Sequence, residues 1–170
     1  MSNLDLGYVQ DETDVQVELF GVSPSQIFEM AELDRVCFKE ETSYPPWTFY
    51  FFLTAPGSDG FSLYRDGSLV GFILFRKESR SVGSIITIDV SPWERGKGLG
   101  SRLLLETERA LAESGVRQVL LQVAVENAPA ISFYEGKNYR KKKELGGYYG
   151  PGKSAYLMVK KIFDRGSPSP

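Results

Sequence analysis

One stretch constrains this chain more than any other. From Ser84 the sequence runs apolar and β-branched to Val90 and breaks at Ser91-Pro92. It then turns through Arg95-Gly96-Lys97-Gly98-Leu99-Gly100. Leu99, Leu103, Thr107, Ala110 and Leu111 follow at helical spacing, and Gly115 marks the helix end. Strand, glycine turn and helix therefore succeed one another directly. Glycine permits positive φ and a close approach of the backbone to a ligand. The first amides of a helix lack intrahelical partners and carry partial positive charge. A turn of this kind is a cradle for an anion, a pyrophosphate above all.

Two common phosphate loops do not fit. The dinucleotide fingerprint spaces its glycines as Gly-x-Gly-x-x-Gly, whereas here they fall at Gly96, Gly98 and Gly100. The P-loop pattern is absent as well.

Around this unit the rest of the chain reads as short strands with helices between them. Val15, Val17 and Leu19 alternate with polar residues and predict a first strand. Ser23-Pro24 opens a helix carrying Ile27, Met30, Ala31, Leu33, Asp34 and Phe38, and an aromatic helix is expected over Thr48–Thr54. Phe61–Arg65 and Leu69–Arg76 predict a hairpin, because Asp66-Gly67 between apolar runs is a strong turn signal. After the central helix come a strand over Val116–Val125, a short helix over Pro129–Lys137, and strands over Arg140–Leu145 and Ala155–Ile162. The expected order is β-α-α-β-β-β-α-β-α-β-β. Residues 15–163 are expected to form one domain, with a flexible leader over 1–14 and a disordered tail over 164–170. The basic run Arg140–Lys143 reads as a solvated sheet edge that discourages aggregation, or as an attractor of acidic ligands.

Composition removes several chemistries. The chain has no histidine and a single cysteine, Cys37, so Cys-His and Ser-His-Asp nucleophilic mechanisms are excluded. Zinc ligation lacks its usual residues, and no metal is expected. Cys37 falls in an apolar helical pattern and is expected to pack as a small hydrophobe. A net charge of −2 gives no reason to expect nucleic acid. No apolar run approaches the roughly 20 residues of a membrane span, so a cytoplasmic protein without membrane contact is expected.

A second motif stands beyond the next strand: Asn127-Ala128-Pro129-Ala130-Ile131-Ser132-Phe133-Tyr134. Together with Arg95-x-x-Gly98-x-Gly100, it resembles the GCN5-related N-acetyltransferase (GNAT) superfamily. The segment Glu135–Tyr139 is similar to the family's Tyr-Glu-x-x-Gly-Phe ending, with Asn138 in place of glycine and Tyr139 in place of phenylalanine. The resemblance spans residues 15–162. It implies an α/β (α+β) fold with a mixed, mostly antiparallel central sheet flanked by helices, and an acetyl-CoA-dependent N-acetyltransferase working by direct attack in a ternary complex.

Roles follow from the same resemblance. It implies that Arg95, Gly96, Lys97, Gly98, Gly100 and Ser101 surround the CoA phosphates, with Arg102 as a further cation. Backbone groups of Ile88 and Val90 would pair with the pantetheine arm, in a gap between that strand and Val116–Val125. Asn127 would bond CoA or cap the following helix. Tyr134 matches the family's proton donor to the departing thiolate, and a phenol pKa near 10 lies close to that of a thiol. The base departs from expectation. Gln122 stands where ribosomal-protein N-terminal alanine acetyltransferases have glutamate, and an amide holds a water rather than taking a proton. Glu126 and a water held by Gln122 are the candidates.

Tyr148-Tyr149-Gly150-Pro151-Gly152-Lys153-Ser154-Ala155 is similar to the segment that walls the peptide groove of N-terminal α-amine acetyltransferases. With Tyr44 and Trp47 from the loop after the first helix, Tyr148 and Tyr149 are expected to form an aromatic acceptor site. The expected acceptor is a protein or peptide N-terminus. A small amine, or a CoA-binding module without activity, are the alternatives. A monomer or a homodimer is expected.

Overall fold

The computed structural model of the chain describes residues 16–19, 24–38 and 43–162. The expected leader and tail lie outside the described residues. The elements occur in the expected order: β1 (Gln16–Leu19), α1 (Pro24–Cys37), α2 (Pro46–Thr54), β2 (Ser58–Arg65), β3 (Ser68–Lys77), β4 (Val82–Val90), α3 (Leu99–Glu113), β5 (Gln118–Ala124), α4 (Ala128–Gly136), β6 (Arg140–Leu145) and β7 (Ala155–Lys161). A 3-10 turn, Pro92–Glu94, links β4 to the glycine loop.

Seven strands form one sheet in the order β1-β2-β3-β4-β5-β7-β6. Every pairing is antiparallel except β4 with β5, whose connection passes through α3. This is the mixed sheet expected from the sequence. The β2–β3 turn carries Asp66 at φ 50° and Gly67 at φ 74°, the positive angles that suit a tight hairpin to strand twist. The short helix α2 begins at Pro46, two residues before its expected start, because a proline's missing N–H is harmless in a first turn.

The sheet separates two cores. On one face α3 and α4 cover Leu63, Ile73, Phe75, Val119, Leu121 and Val123, with Leu103 and Leu111 as the central contacts of α3. On the other face α1 and α2 cover Phe72 and Leu74 with Met30, Leu33 and Phe49. Alternation from Gly71 to Phe75 in β3 supplies both: Gly71, Ile73 and Phe75 face α3, and Phe72 and Leu74 face α1 and α2. Cys37 packs at the margin of the second core, as its apolar setting suggested.

One feature of the sheet governs everything that follows. Ladder pairing between β4 and β5 covers only Val82–Ser84 against Gln118–Leu120. Immediately after it, the β3–β4 register shifts, so that Leu74 faces Thr87 while Phe75 faces Ile85, and Ile86 is the extra residue. A bulge of this kind bends its strand and increases the twist. The two central strands therefore part beyond Ser84, and the sheet opens at its middle.

Candidate active site

The glycine turn lies at the end of β4 where the sheet opens. Gly96 and Gly98 have φ of 78° and 79°, and a Cβ on either would meet no atom within 4 Å. Gly98 is the N-cap of α3 and has no side chain to cover the helix amides. Backbone amides thus face open space in a left-handed turn, an arrangement that fits a diphosphate. Gly100 differs. It lies within α3 without a positive φ, and a Cβ there would meet Phe133 at 3.6 Å, an ordinary van der Waals distance.

The charged residues of the turn are engaged with one another. Lys97 pairs with Glu94 at 3.2 Å, and Glu94 also takes Arg65 at 3.3 Å. Arg95 donates from Nε to the Val90 carbonyl at 3.1 Å. The Cys37 thiol donates to the same carbonyl at 3.4 Å. Both acceptor directions of the Val90 carbonyl are therefore occupied, and Val90 has only its N–H to offer a pantetheine arm on that count. Ile88 carries no such engagement among the described residues. Asn127 acts as a cap: its side-chain oxygen accepts the Ala130 amide at 3.1 Å.

Tyr134 is held in α4, buried against Phe133 and Tyr139 with ring centroids 5.2 and 5.6 Å away. Behind it, Tyr139 donates to Glu108 at 2.9 Å and Lys160 donates to the same carboxylate at 2.6 Å, which fixes the wall of the core. Burial, with the charge of Asp89 next and Tyr149 after it, pushes the Tyr134 phenol well above its ordinary value. The phenol therefore keeps its proton at neutral pH, the state that a donor to a departing thiolate requires. Asn138, in place of the family's glycine, has φ of 68°, a region that asparagine enters more readily than most residues.

At the other mouth of the opening, Tyr149 donates to the Gln122 carbonyl at 3.4 Å, and Tyr148 packs edge-on to Tyr149 with centroids 4.8 Å apart. Burial raises the phenols of Tyr44, Tyr148 and Tyr149, and the charges of Tyr148 and Tyr44 add to the shifts of Tyr44 and Tyr149 respectively. The ring of Tyr44 itself packs edge-on to Phe49 and Phe52, with centroids 6.0 and 5.4 Å away, at the margin of the α1–α2 core. Trp47 stands apart. It is 71 % exposed on α2 and contributes no ring contact to Tyr44, Tyr148 or Tyr149 among the described residues. The side chain of Gln122 alternates away from the α3 core and is half-buried rather than enclosed, while Glu126 is exposed in the turn after β5.

Two residues escaped the sequence reading. Asp34 in α1 and Asp89 in β4 are 0 % and 1 % exposed, and burial, with the charge of Asp34 next, raises the Asp89 carboxyl well above its ordinary value. Each broke an apolar pattern, Asp34 in the helical stripe of α1 and Asp89 in the β-branched run of β4. That break was the available signal.

Comparison with known proteins decides the family. The sequence profile of the "Acetyltransferase (GNAT) family" matches residues 27–138. The chain belongs to the acetyltransferase (GNAT) family. It is 31 % identical over 148 residues to an N-alpha-acetyltransferase of Saccharolobus solfataricus, covering 80 % of this chain and 87 % of that one. It is 31 % identical over 143 residues to the N-alpha-acetyltransferase RimI of Mycobacterium tuberculosis, covering 82 % and 87 %. The crystal structure of Ard1 from Thermoplasma volcanium shares the fold, with a TM-score of 0.78 at 24 % identity over 87 % of this chain and 99 % of that one. As a GNAT protein the chain is an acetyl-CoA-dependent acetyltransferase. Among the described residues no helix is long and apolar enough to cross a membrane.

Proposed function

We propose that the protein acetylates the α-amino group at the N-terminus of a protein or peptide. The observation that carries this reading is the two-sided opening between β4 and β5. The glycine turn with the N-terminus of α3 follows β4 on one side of it, and Tyr149, with Tyr148 edge-on to it, reaches the Gln122 carbonyl of β5 on the other. Relatives named for N-alpha-acetylation support the choice of acceptor.

Acetyl-CoA, when bound, supplies the thioester. Gly96, Gly98, Gly100 and Ser101 hold its phosphates through the turn and the first helix amides. The unpaired edge of β4 at Ile88, with the Val90 N–H, aligns the arm. Tyr44, Tyr148 and Tyr149 flank the acceptor chain, and their polar tips meet backbone groups. Tyr134 would give its proton to the sulfur as the C–S bond breaks and would regain one from the proton that leaves the amine. The amine loses one proton to a water held by Gln122 as the N–C bond forms.

The absence of a strong base suits an α-amine. At neutral pH roughly a tenth of α-amines are unprotonated, against well under a thousandth of lysine amines. The test compares initial rates for a short peptide with a free N-terminus and for its N-blocked, lysine-bearing counterpart. A clear preference for the free N-terminus is expected. Equal rates, or a preference for lysine, would refute the reading. Gln122→Glu introduces a base and is expected to raise the rate at low pH.

A further inference from the structure

On the side of the sheet away from α3 and α4, helices α1 and α2 pack against residues of β3 and β4. The same face of β5, β7 and β6 is left without a helix among the described residues. A groove of about 550 Å³ lies there, floored by Leu120, Leu157 and Val159 and edged by Arg140, Lys142 and Lys161. No carboxylate lines it among the described residues. The register explains the grouping, because residues directly opposite one another share a face. Leu120 pairs with Val159 and Val159 with Arg140, while Gln118 pairs with Lys161. Lys142 is the extra residue of a bulge between Lys141 and Lys143. Two neighbouring lysines are engaged on the opposite face. Lys141 pairs with Glu135 of α4 at 3.3 Å, and Lys160 pairs with Glu108 of α3 at 2.6 Å. Arg140, Lys142 and Lys161 are exposed and have no ion pair among the described residues.

A chain of net charge −2 has thus gathered cations around an apolar floor without a counter-charge. Lysines on an edge strand would by themselves only discourage sheet pairing. That does not account for Leu120 and Leu157, which are half-buried beneath no helix. The groove also runs up to the seam. Leu157 is the register partner of Gln122, and Tyr149 donates to the Gln122 carbonyl. From Gln122, β6 lies two strand spacings across, beyond β7, and Gln118 with Lys161 lies four residues along β5. These separations are about 10 and 13 Å, a span that three or four residues of extended chain cover. We infer that this groove receives the acceptor polypeptide downstream of its N-terminus and selects chains with acidic side chains at about the fourth to seventh positions. The inference rests on the reading that a peptide N-terminus is acetylated at the seam. A second copy of this chain docking through the same face would set like charges against each other, which is costly.

The test uses the full-length enzyme and two peptides that share their first three residues. One carries aspartate or glutamate at its fourth to seventh positions, and the other carries glutamine there. KM for the acidic peptide should be lower by about fivefold at low ionic strength, since each exposed ion pair contributes little and several act together. The difference should shrink toward parity in about 0.5 M salt. Arg140→Gln with Lys142→Gln should remove most of the preference and leave KM for acetyl-CoA as it was. Lys141→Gln removes the same charge from the α4 side and should keep the preference. Equal KM values for the two peptides in the wild type, or a preference undiminished in the double variant, would overturn the inference. So would a raised KM for acetyl-CoA in that variant, which assigns the cations to CoA. A changed oligomeric state with unchanged peptide kinetics would assign the face to a contact between copies and overturn it as well. If the double variant does not fold, the wild type decides. Lys142 and Lys161 should lose reactivity toward an amine-modifying reagent when the acidic peptide is added, and unchanged reactivity overturns the inference. A wild type that acetylates neither peptide overturns the acceptor reading itself, whereas equal use of both peptides leaves that reading standing.

Discussion

At the scale of single residues, the site is governed by what burial does to ionisable groups. Tyr134 remains a phenol because desolvation, with Asp89 beside it, disfavours the phenolate. Tyr134→Phe keeps the ring contacts to Phe133 and Tyr139 and removes only the donor. Turnover is expected to fall by about 10²-fold, the lower end of what a positioned acid contributes, with CoA affinity little changed. Wild-type turnover in that variant would leave Tyr134 a packing residue. Asp34 and Asp89 make a prediction about stability. Burial raises both carboxyls above their ordinary value, and Asp34 adds to the shift of Asp89. The folded chain then binds protons that the unfolded chain has released. The pair's contribution is complete below the ordinary carboxylate value of 3.8 and is lost as pH rises through the raised folded value. Urea midpoints of the wild type should therefore carry a declining component from about pH 4 upward. Asp34→Asn with Asp89→Asn removes that component, and an unaltered pH dependence would show that the pair does not titrate as described. Tyr134 was legible in the sequence because its motif carries it. The Asp pair was not, because nothing in a single sequence says that position 34 of a helix and position 89 of a strand are both buried.

At the scale of elements, the strand–turn–helix unit was legible because its signals are local. Apolar alternation, glycines and helical spacing each act over a few residues, and they agree. What the sequence did not reveal is how the unit's charges are spent. Lys97, read as a phosphate ligand, pairs with Glu94 three residues before it, and Glu94 is shared with Arg65 from the end of β2. Gly83 is a similar omission. A Cβ there would come within 2.9 Å of Leu111, so this glycine lets α3 lie down on β4. The cradle itself is open to test by separating strain from ligand contact. A non-glycine residue at φ of 79° stores about 1–3 kcal/mol. Gly98→Val should bear that strain and also place a side chain over the helix amides. Gly67→Ala bears comparable strain at φ 74° in the β2–β3 turn, far from α3 in sequence and with open space around it. Calorimetry should find CoA affinity reduced at least about tenfold, some 1.4 kcal/mol, by the first change and untouched by the second. Equal affinity in the two variants would disprove the phosphate-cradle assignment.

At the scale of the whole molecule, the sheet is complete everywhere except at its centre. β4 pairs with β3 along most of its length but with β5 only at Val82–Ser84. On either side of that seam stand separate cores, one built by α3 and α4 and the other by α1 and α2. The element order was readable because each element has its own periodicity. The seam was expected only through the family resemblance, because it depends on one extra residue, Ile86, in a run whose composition gives no sign of a bulge. An unpaired edge inside a sheet leaves backbone groups to be satisfied by water or by a ligand. A pantetheine arm lying along Ile88 would complete the ladder and tie the two halves together. CoA at a hundred times its dissociation constant should then stabilise the fold by about 2.7 kcal/mol through linkage alone. The distribution of that gain is the sharper expectation. Amide hydrogen exchange across Ile85–Val90 and in the first turn of α3 should slow on adding CoA, while β6, at the far edge of the sheet, should exchange as before. A nucleotide diphosphate without the arm should protect the helix turn and leave Ile85–Val90 unchanged. If CoA slows exchange evenly over the whole sheet, the gain is global stabilisation and the arm does not lie in the seam.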